Sequence, residues 1–485
     1  MKSEFGSTAL LSAFALVALA VPAGAFDPCP ASAPTCTEYT GAGKDGSFFR
    51  ISMPENWDGD VVIYNHGFDL NQKHIRGHET CENNGALHCE ADADCGSGNA
   101  CNEISYSGLD ALLLPKGKAV AATTYSDTGW APFHSAKNIK EILKFMKKEP
   151  TIGKPTRVII TGHSGGGAVT ADATLNLKID GAVIMCGAVA GGLPTWDVAG
   201  DVRLVYDFLC DEVTGAKFSS APDVGEVNSA DSGADSIAMA LKVNKCFGVM
   251  SPSADPTEAA AQAGRLEDFM ALTKFTGTGM EALTAMGFAT LGLGDFVRDP
   301  ARLDGKHIGF NSVPDLDYST MGTDPGLAAE YDAGVKRLTK GSGRKKLTKA
   351  SYPDFTKGKG KKVAYPILSM AGAADWLVIP PFQSVYDRAA ALGGKLLTQT
   401  WISSYGHCVF SEQETQALFE EYFAWLDSTD QVTSQPTPAD LEAACLALPG
   451  GVDGDTCNFD TAFVNTNLDD RIPARSDWPP AAINP

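Results

Sequence analysis

One stretch constrains the fold more than any other: Arg157-Val-Ile-Ile-Thr-Gly-His-Ser-Gly-Gly-Gly167. Val158 to Ile160 is a short apolar run of the kind that forms a buried strand. It stops in Gly162-His163-Ser164-Gly165-Gly166, and Ala168 to Leu175 then carries a helical pattern. A strand, a sharp glycine turn and a helix in so few residues can hold a serine in a strained backbone conformation, with its hydroxyl above the sheet edge. Glycines must flank it, because side chains there would collide with the neighbouring strand and helix. The Gly-x-Ser-x-Gly pattern is short enough to arise by chance in a long chain, so its meaning depends on what stands elsewhere.

The chain has 485 residues, 44% of them hydrophobic, enough for a large core and an accessory lobe. A net charge of −20 disfavours a broad nucleic-acid or anionic-membrane surface. Residues 1–25 read as an export signal, with Lys2 in a charged start, an apolar run from Ala9 to Val21, and Ala23-Gly-Ala25 as a cleavage site. That run is too short to span a bilayer, and no stable membrane anchor is expected. Twelve cysteines suit an oxidising compartment. They fall in local groups, Cys29 and Cys36; Cys81, Cys89, Cys95 and Cys101; Cys210 and Cys246; Cys445 and Cys457. Cys186 and Cys408 stand apart, and pairings are not deducible from sequence.

The chain in order alternates strands and helices. Ser47 to Pro54 alternates like a strand, and Asp60 to Gly67 is a buried strand ending in His66-Gly67-Phe68. Residues 78–103 form a polar, cysteine-dense insertion. Asp92, Asp94 and Glu103 faintly resemble a calcium loop, but Gly and Ser occupy the wrong positions, and a disulfide-stapled surface loop is the better reading. Lys118 to Tyr125 is the next strand. A helix spans about 136–149, with Ile139, Ile142, Leu143 and Met146 on one face. Ile179 to Cys186 is the strand after the glycine turn's helix. Alternation of this kind specifies a mostly parallel α/β sheet flanked by helices.

From 191 to 360 the alternation stops, and segments such as Thr257 to Leu272 and Gly279 to Leu291 read as helices of an inserted cap. Lys336 to Lys362 carries eleven Lys or Arg against one acid, Asp354. It reads as a solvated connector in preference to a patch for an anionic partner. The sheet pattern resumes at Val363 to Met370 and ends in Ala371-Gly-Ala-Ala-Asp-Trp-Leu-Val378. A helix over about 381–392, a strand at Leu396 to Ile402, the loop Ser403-Ser-Tyr-Gly-His-Cys408 and a last helix follow. Ser411 and Glu414 form that helix's capping box. The organisation is thus 26–190 and 361–428 as one core, 191–360 as its cap, and 429–485 as a tail packed on the core.

A serine hydroxyl is a weak nucleophile; a neutral imidazole must take its proton, and a carboxylate must orient that imidazole. Only His307 and His407 lie beyond the start of the cap, and only His407 follows a late strand. Asp375 stands in the turn after the preceding strand, whereas Asp387 falls inside a helix. Ser164, Asp375 and His407 therefore all fall at the C-terminal ends of strands, in the order Ser, acid, His. Backbone N–H groups of Phe68 and Gly165 are the expected oxyanion donors, although a His-Gly pair also ends many ordinary strands. His66, His163, Trp130 and Trp376 are candidate pocket linings.

With those residues in hand, the chain resembles the secreted serine hydrolases of the α/β-hydrolase fold. The matching pieces are His66-Gly67-Phe68, Gly162-His-Ser-Gly-Gly166, Gly372-Ala-Ala-Asp375 and Gly406-His407, over about 60–200 and 363–427. Tyr405-Gly-His-Cys-Val-Phe410 is similar to the histidine loop of exported esterases and peptidase-like members. The resemblance implies ester or amide cleavage through an acyl-enzyme, on a small-molecule or polymeric ester substrate, without a metal or organic cofactor. An amidase or peptidase and a catalytically dead binding protein are the alternatives.

Overall fold

The structure is a computed structural model that describes residues 36–70, 80–81, 84–88, 101–102, 106–216, 232–311, 317–350, 365–466, 475–476 and 478. The expected export signal and the trio Asp92, Asp94 and Glu103 lie outside the described residues.

Among the described residues, eleven strands follow in chain order: β1 (Cys36–Ala42), β2 (Phe48–Pro54), β3 (Asp60–Asn65), β4 (Thr80–Cys81), β5 (Asn84–His88), β6 (Cys101–Asn102), β7 (Ala119–Thr123), β8 (Arg157–His163), β9 (Gly181–Met185), β10 (Pro366–Ala374) and β11 (Leu396–Tyr405). Eight of them build one sheet in the order β1-β2-β7-β3-β8-β9-β10-β11, while β5-β4-β6 form a small separate sheet within the cysteine-dense insertion. In the large sheet β2 runs antiparallel to both neighbours, and every pair from β7 to β11 is parallel. A parallel run needs a crossover between consecutive strands, which is why its strands carry near-continuous apolar sequence. This strand order, with one antiparallel strand, the second from the edge, in an otherwise parallel sheet, is that of the α/β-hydrolase fold.

The helices are α1 (Leu109–Leu113), α2 (Ser135–Lys148), α3 (Gly165–Asn176), α4 (Gly192–Leu209), α5 (Ser232–Phe247), α6 (Pro256–Thr273), α7 (Gly279–Gly287), α8 (Leu293–Arg298), α9 (Ala328–Gly334), α10 (Arg344–Ala350), α11 (Pro381–Leu392), α12 (Glu412–Asp427) and α13 (Pro438–Ala447). They cover both faces of the sheet. Along β9 the side chains alternate: Ala182 and Ile184 join the core that holds Ile142 of α2, Val169 of α3 and Val385 of α11. Val183 and Met185 join the opposite core with Leu113, Leu418, Tyr422 and Leu441. Tyr422 also requires Gly181, since a Cβ there would stand 1.8 Å from its hydroxyl.

Helices α4 to α10 lie between β9 and β10 in the chain, the segment read from sequence as the cap. The expected helix from Gly279 to Leu291 is interrupted: α7 ends at Gly287, a π-helical turn covers Phe288–Gly292, and α8 continues from Leu293. The cap is tied together through Asp197 of α4. Arg344 of α10 grips both its carboxylate oxygens at 2.5 and 2.8 Å, and the Trp478 indole N–H donates to it at 2.5 Å. One turn on, Asp201 pairs with the buried Arg475. The basic stretch is therefore not solvated throughout. Arg344 is 1% exposed, because the acids of α4 need a cation inside. Cys210–Cys246 joins α4 to α5, and Cys445–Cys457 closes the tail after α13. Among the described residues, no helix is long and apolar enough to cross a membrane.

Candidate active site

Ser164 caps α3 directly after β8, with φ 55° and ψ −123°. A residue with a side chain adopts such a backbone only where its surroundings enforce it. Here the enforcement is visible. The Ser164 N–H donates to the Met185 carbonyl at 3.1 Å, and its own carbonyl accepts from Gly167 and Ala188 at 3.0 and 3.2 Å. The glycines permit close crossing of the neighbouring chain. A Cβ on Gly166 would lie 1.9 Å from the Asn65 carbonyl oxygen, one on Gly162 2.6 Å from that same atom, and one on Gly167 2.3 Å from Gly187 Cα.

Asp375 sits just past β10 and is 1% exposed. Its Oδ1 accepts backbone N–H bonds from Leu377 and Val378, both at 2.9 Å. Its Oδ2 lies 2.7 Å from His407 Nδ1, and His407 Nε2 lies 2.8 Å from Ser164 Oγ. The two backbone donors hold the carboxylate aimed at the imidazole. With Nδ1–H donating to it, Nε2 is left as the acceptor facing the serine hydroxyl. Ser164, Asp375 and His407 are thus joined in one hydrogen-bonded line.

The turn 66–68 lies against the serine. A Cβ on Gly165 would stand 2.9 Å from the Phe68 nitrogen, and one on Gly67 would stand 3.5 Å from Ser164 Cβ. Neither the Phe68 N–H nor the Gly165 N–H donates to another described residue. Two histidines brace this turn. His66 stacks on Tyr125 at 4.1 Å and bonds the Gly67 carbonyl at 2.8 Å. His163 Nδ1 is 2.6 Å from the Tyr64 hydroxyl. Burial, with His407 and His66 nearby, pushes His163 down to about 4, and burial lowers His66 as well, so both rings are neutral at pH 7.

The cap closes over this arrangement. Phe68 packs against Phe288 of the π-helical turn at 4.9 Å and Trp196 of α4 at 6.0 Å. A side chain on Gly292 would meet the Phe68 ring at 3.1 Å. Trp376, beside the acid, meets cap residue Phe275 edge-on at 5.9 Å, and the Tyr405 hydroxyl donates to Glu281 of α7 at 2.6 Å. Trp130 does not line the site's rim. It is 2% exposed and T-shaped to Trp196 at 5.5 Å, one aromatic layer behind Phe68, because α4 and α8 pack over its loop.

Two features escaped the sequence. The cap aromatics gave no periodic signal pointing at the serine. Cys186 and Cys408, set apart in sequence, form a disulfide with Cα atoms 5.3 Å apart. The signal for it was positional: one cysteine follows a core strand and the other follows the histidine. The one group with metal-ligand spacing among the described residues is Cys186, His407 and Cys408, and its two sulfurs are bonded to each other.

No known family model and no curated protein sequence matches the chain. Solved structures do align with it. An acylaminoacyl peptidase of Pyrococcus horikoshii is 10% identical over 83% of this chain and 44% of its own, with a TM-score of 0.38. Lipase A of Candida antarctica in its closed state is 12% identical over 90% and 83%, with a TM-score of 0.37. Brefeldin A esterase, a bacterial homologue of human hormone sensitive lipase, is 12% identical over 91% and 84%, again at 0.37. The chain spans less than half the length of the peptidase. Likeness this distant does not bear on substrate.

Proposed function

We propose that this chain is a secreted serine hydrolase that cleaves carboxylic esters through an acyl-enzyme. The observation that carries the reading is the continuous line from Asp375 through His407 to Ser164, at 2.7 and 2.8 Å, on a strained elbow. His407 Nε2 takes the Ser164 proton as Oγ attacks the substrate carbonyl. The N–H groups of Phe68 and Gly165 receive the oxyanion, and Asp375 balances the imidazolium. His407 then gives its proton to the leaving alkoxide, and the same nitrogen later activates the water that frees the acid.

The aromatic wall of Phe68, Phe288 and Trp196 favours an apolar acyl or aryl group beside the serine. Export rests on residues 1–25 and agrees with the disulfides. The test is labelling by a fluorophosphonate, with parallel assays on p-nitrophenyl esters and aryl amides. Ser164→Ala is expected to abolish labelling and to lower kcat by about 10⁶-fold. Amide turnover equal to or above ester turnover would make the chain an amidase or peptidase. A folded protein that neither labels nor turns over would be a binding protein.

A further inference from the structure

The loop that carries His407 is weakly held by its own backbone. Gly406 and Cys408, on either side of the histidine, both have left-handed backbone, φ 121° and 57°. Among the described residues no backbone hydrogen bond is made by residues 407–410, and the nearest, from Gly406 N to the Ala374 carbonyl, is long at 3.4 Å. Four residues with no ladder or helix bond between them would drift by more than the hydrogen bond to Ser164 tolerates.

The Cys186–Cys408 disulfide ties that loop to a firmly held part of the core. Cys186 is 1% exposed, and its N–H donates to the Met370 carbonyl at 2.7 Å. Met185, before it, accepts the Ser164 N–H, and Ala188, two residues on, donates to the Ser164 carbonyl. The nucleophile's peptide is therefore clamped from both sides by the neighbours of Cys186. Cys408, bonded to Cys186, directly follows the base, and its sulfur lies 3.4 Å from His407 Nε2.

We infer that the Cys186–Cys408 disulfide is the positioning element for His407, a strut that fixes the base relative to the serine; this rests on the serine-hydrolase reading above. Chemistry adds a second reason for the bonded form. A disulfide sulfur carries no proton, whereas a thiol at this place could donate S–H to Nε2 and compete for the lone pair that must take the serine proton. The strut and the absent proton act in the same direction. Both keep Nε2 available to Ser164 alone.

The test compares Cys186→Ala/Cys408→Ala with Cys445→Ala/Cys457→Ala, which opens a bridge in the tail. Turnover is normalised to the fraction labelled at completion by fluorophosphonate, and the downfield proton resonance of His407 Nδ1–H is followed by NMR. The first variant is expected to lose roughly 10- to 100-fold in kcat with KM little changed, and to lose or broaden the Nδ1–H resonance. The second is expected to lose thermal stability while kcat per labelled site and the resonance stay as in the native protein. A first variant with native kcat and a native resonance would overturn the inference, since a merely stabilising bridge behaves so.

If the first variant does not fold, the native protein is reduced instead with a dithiol and read while its near-UV circular dichroism is unchanged. The S–S bond takes two electrons and two protons to give two thiols, and the reductant leaves as a cyclic disulfide. The same loss of kcat and resonance supports the strut, and retention of both overturns it. A native protein without any hydrolytic activity would overturn the serine-hydrolase reading, yet the resonance would still decide whether the disulfide positions His407.

Discussion

Tyr405 and Glu281 bind the histidine loop to the cap: the phenol hydroxyl donates to the carboxylate at 2.6 Å, from a side chain that is 52% exposed. Together with the Phe275–Trp376 contact it closes the cap on the side of the acid and the base.

Because that bond is exposed, Tyr405→Phe is expected to cost only about 1 kcal/mol of global stability. Its effect should be local. Limited proteolysis between Phe275 and Glu281 should speed up, and kcat/KM for long-chain esters should rise relative to short-chain ones. Unchanged proteolysis would mean that Phe275 against Trp376 holds the cap without it.

Two glycine substitutions should behave in opposite ways. Gly166→Ala drives a methyl group to 1.9 Å from the Asn65 carbonyl and should prevent the elbow from forming, with loss of soluble folded protein. Gly264, inside α6, has open space around its missing Cβ, so Gly264→Ala should stabilise by about 1 kcal/mol. Denaturant melts of the two variants decide both.

Asp172, on α3, is a buried carboxyl that burial pushes up to about 8, against the pull of the Asn176 amide and Lys140. The unfolded chain releases this proton near its ordinary value of 3.8, whereas the folded chain keeps it until about 8. Stability tied to the protonated group is therefore complete below the lower value, declines between the two, and is gone above the upper one. Asp172→Asn should flatten that decline. Urea midpoints at pH 5 and pH 8 should differ less in the variant than in the native protein.

Asp197→Asn removes the charge that Arg344 meets at 2% exposure on both side chains. Leaving the guanidinium buried without its partner should cost about 3–5 kcal/mol, read as a lower thermal midpoint. Replacing both with apolar residues of similar volume should recover much of it.

Ser164, Asp375 and His407, which the structure brings into one hydrogen-bonded line, each follow the C-terminal end of a strand that the sequence marks. Glycine marks all three turns: close chain crossing requires it at Gly162 and Gly166, and left-handed backbone favours it at Gly406. The capping box at Ser411 and Glu414 was legible for the same local reason. What escaped was set by distant parts of the chain. Cys186 and Cys408 are 222 residues apart, and only the sheet order brings their loops together. The burial of Trp130 depends on α4 and α8 arriving above it. Strand β1, with Thr, Glu and Gly in its seven residues, is held by its ladder to β2 and not by an apolar pattern. The π-helical turn that begins at Phe288 packs on the Phe68 ring, a contact that no periodicity encodes.

The shell around Asp197 has a consequence for biosynthesis. This carboxylate sits in the first helix of the cap, yet its indole donor, Trp478, lies 281 residues later. Arg475, which answers neighbouring Asp201, is nearly as remote. A nascent chain therefore carries α4 with its acids incompletely matched until residues 475 and 478 have left the ribosome. The cap cannot mature stepwise from the N-terminus: it closes as a late event, after Ser164 and His407 have already been synthesised.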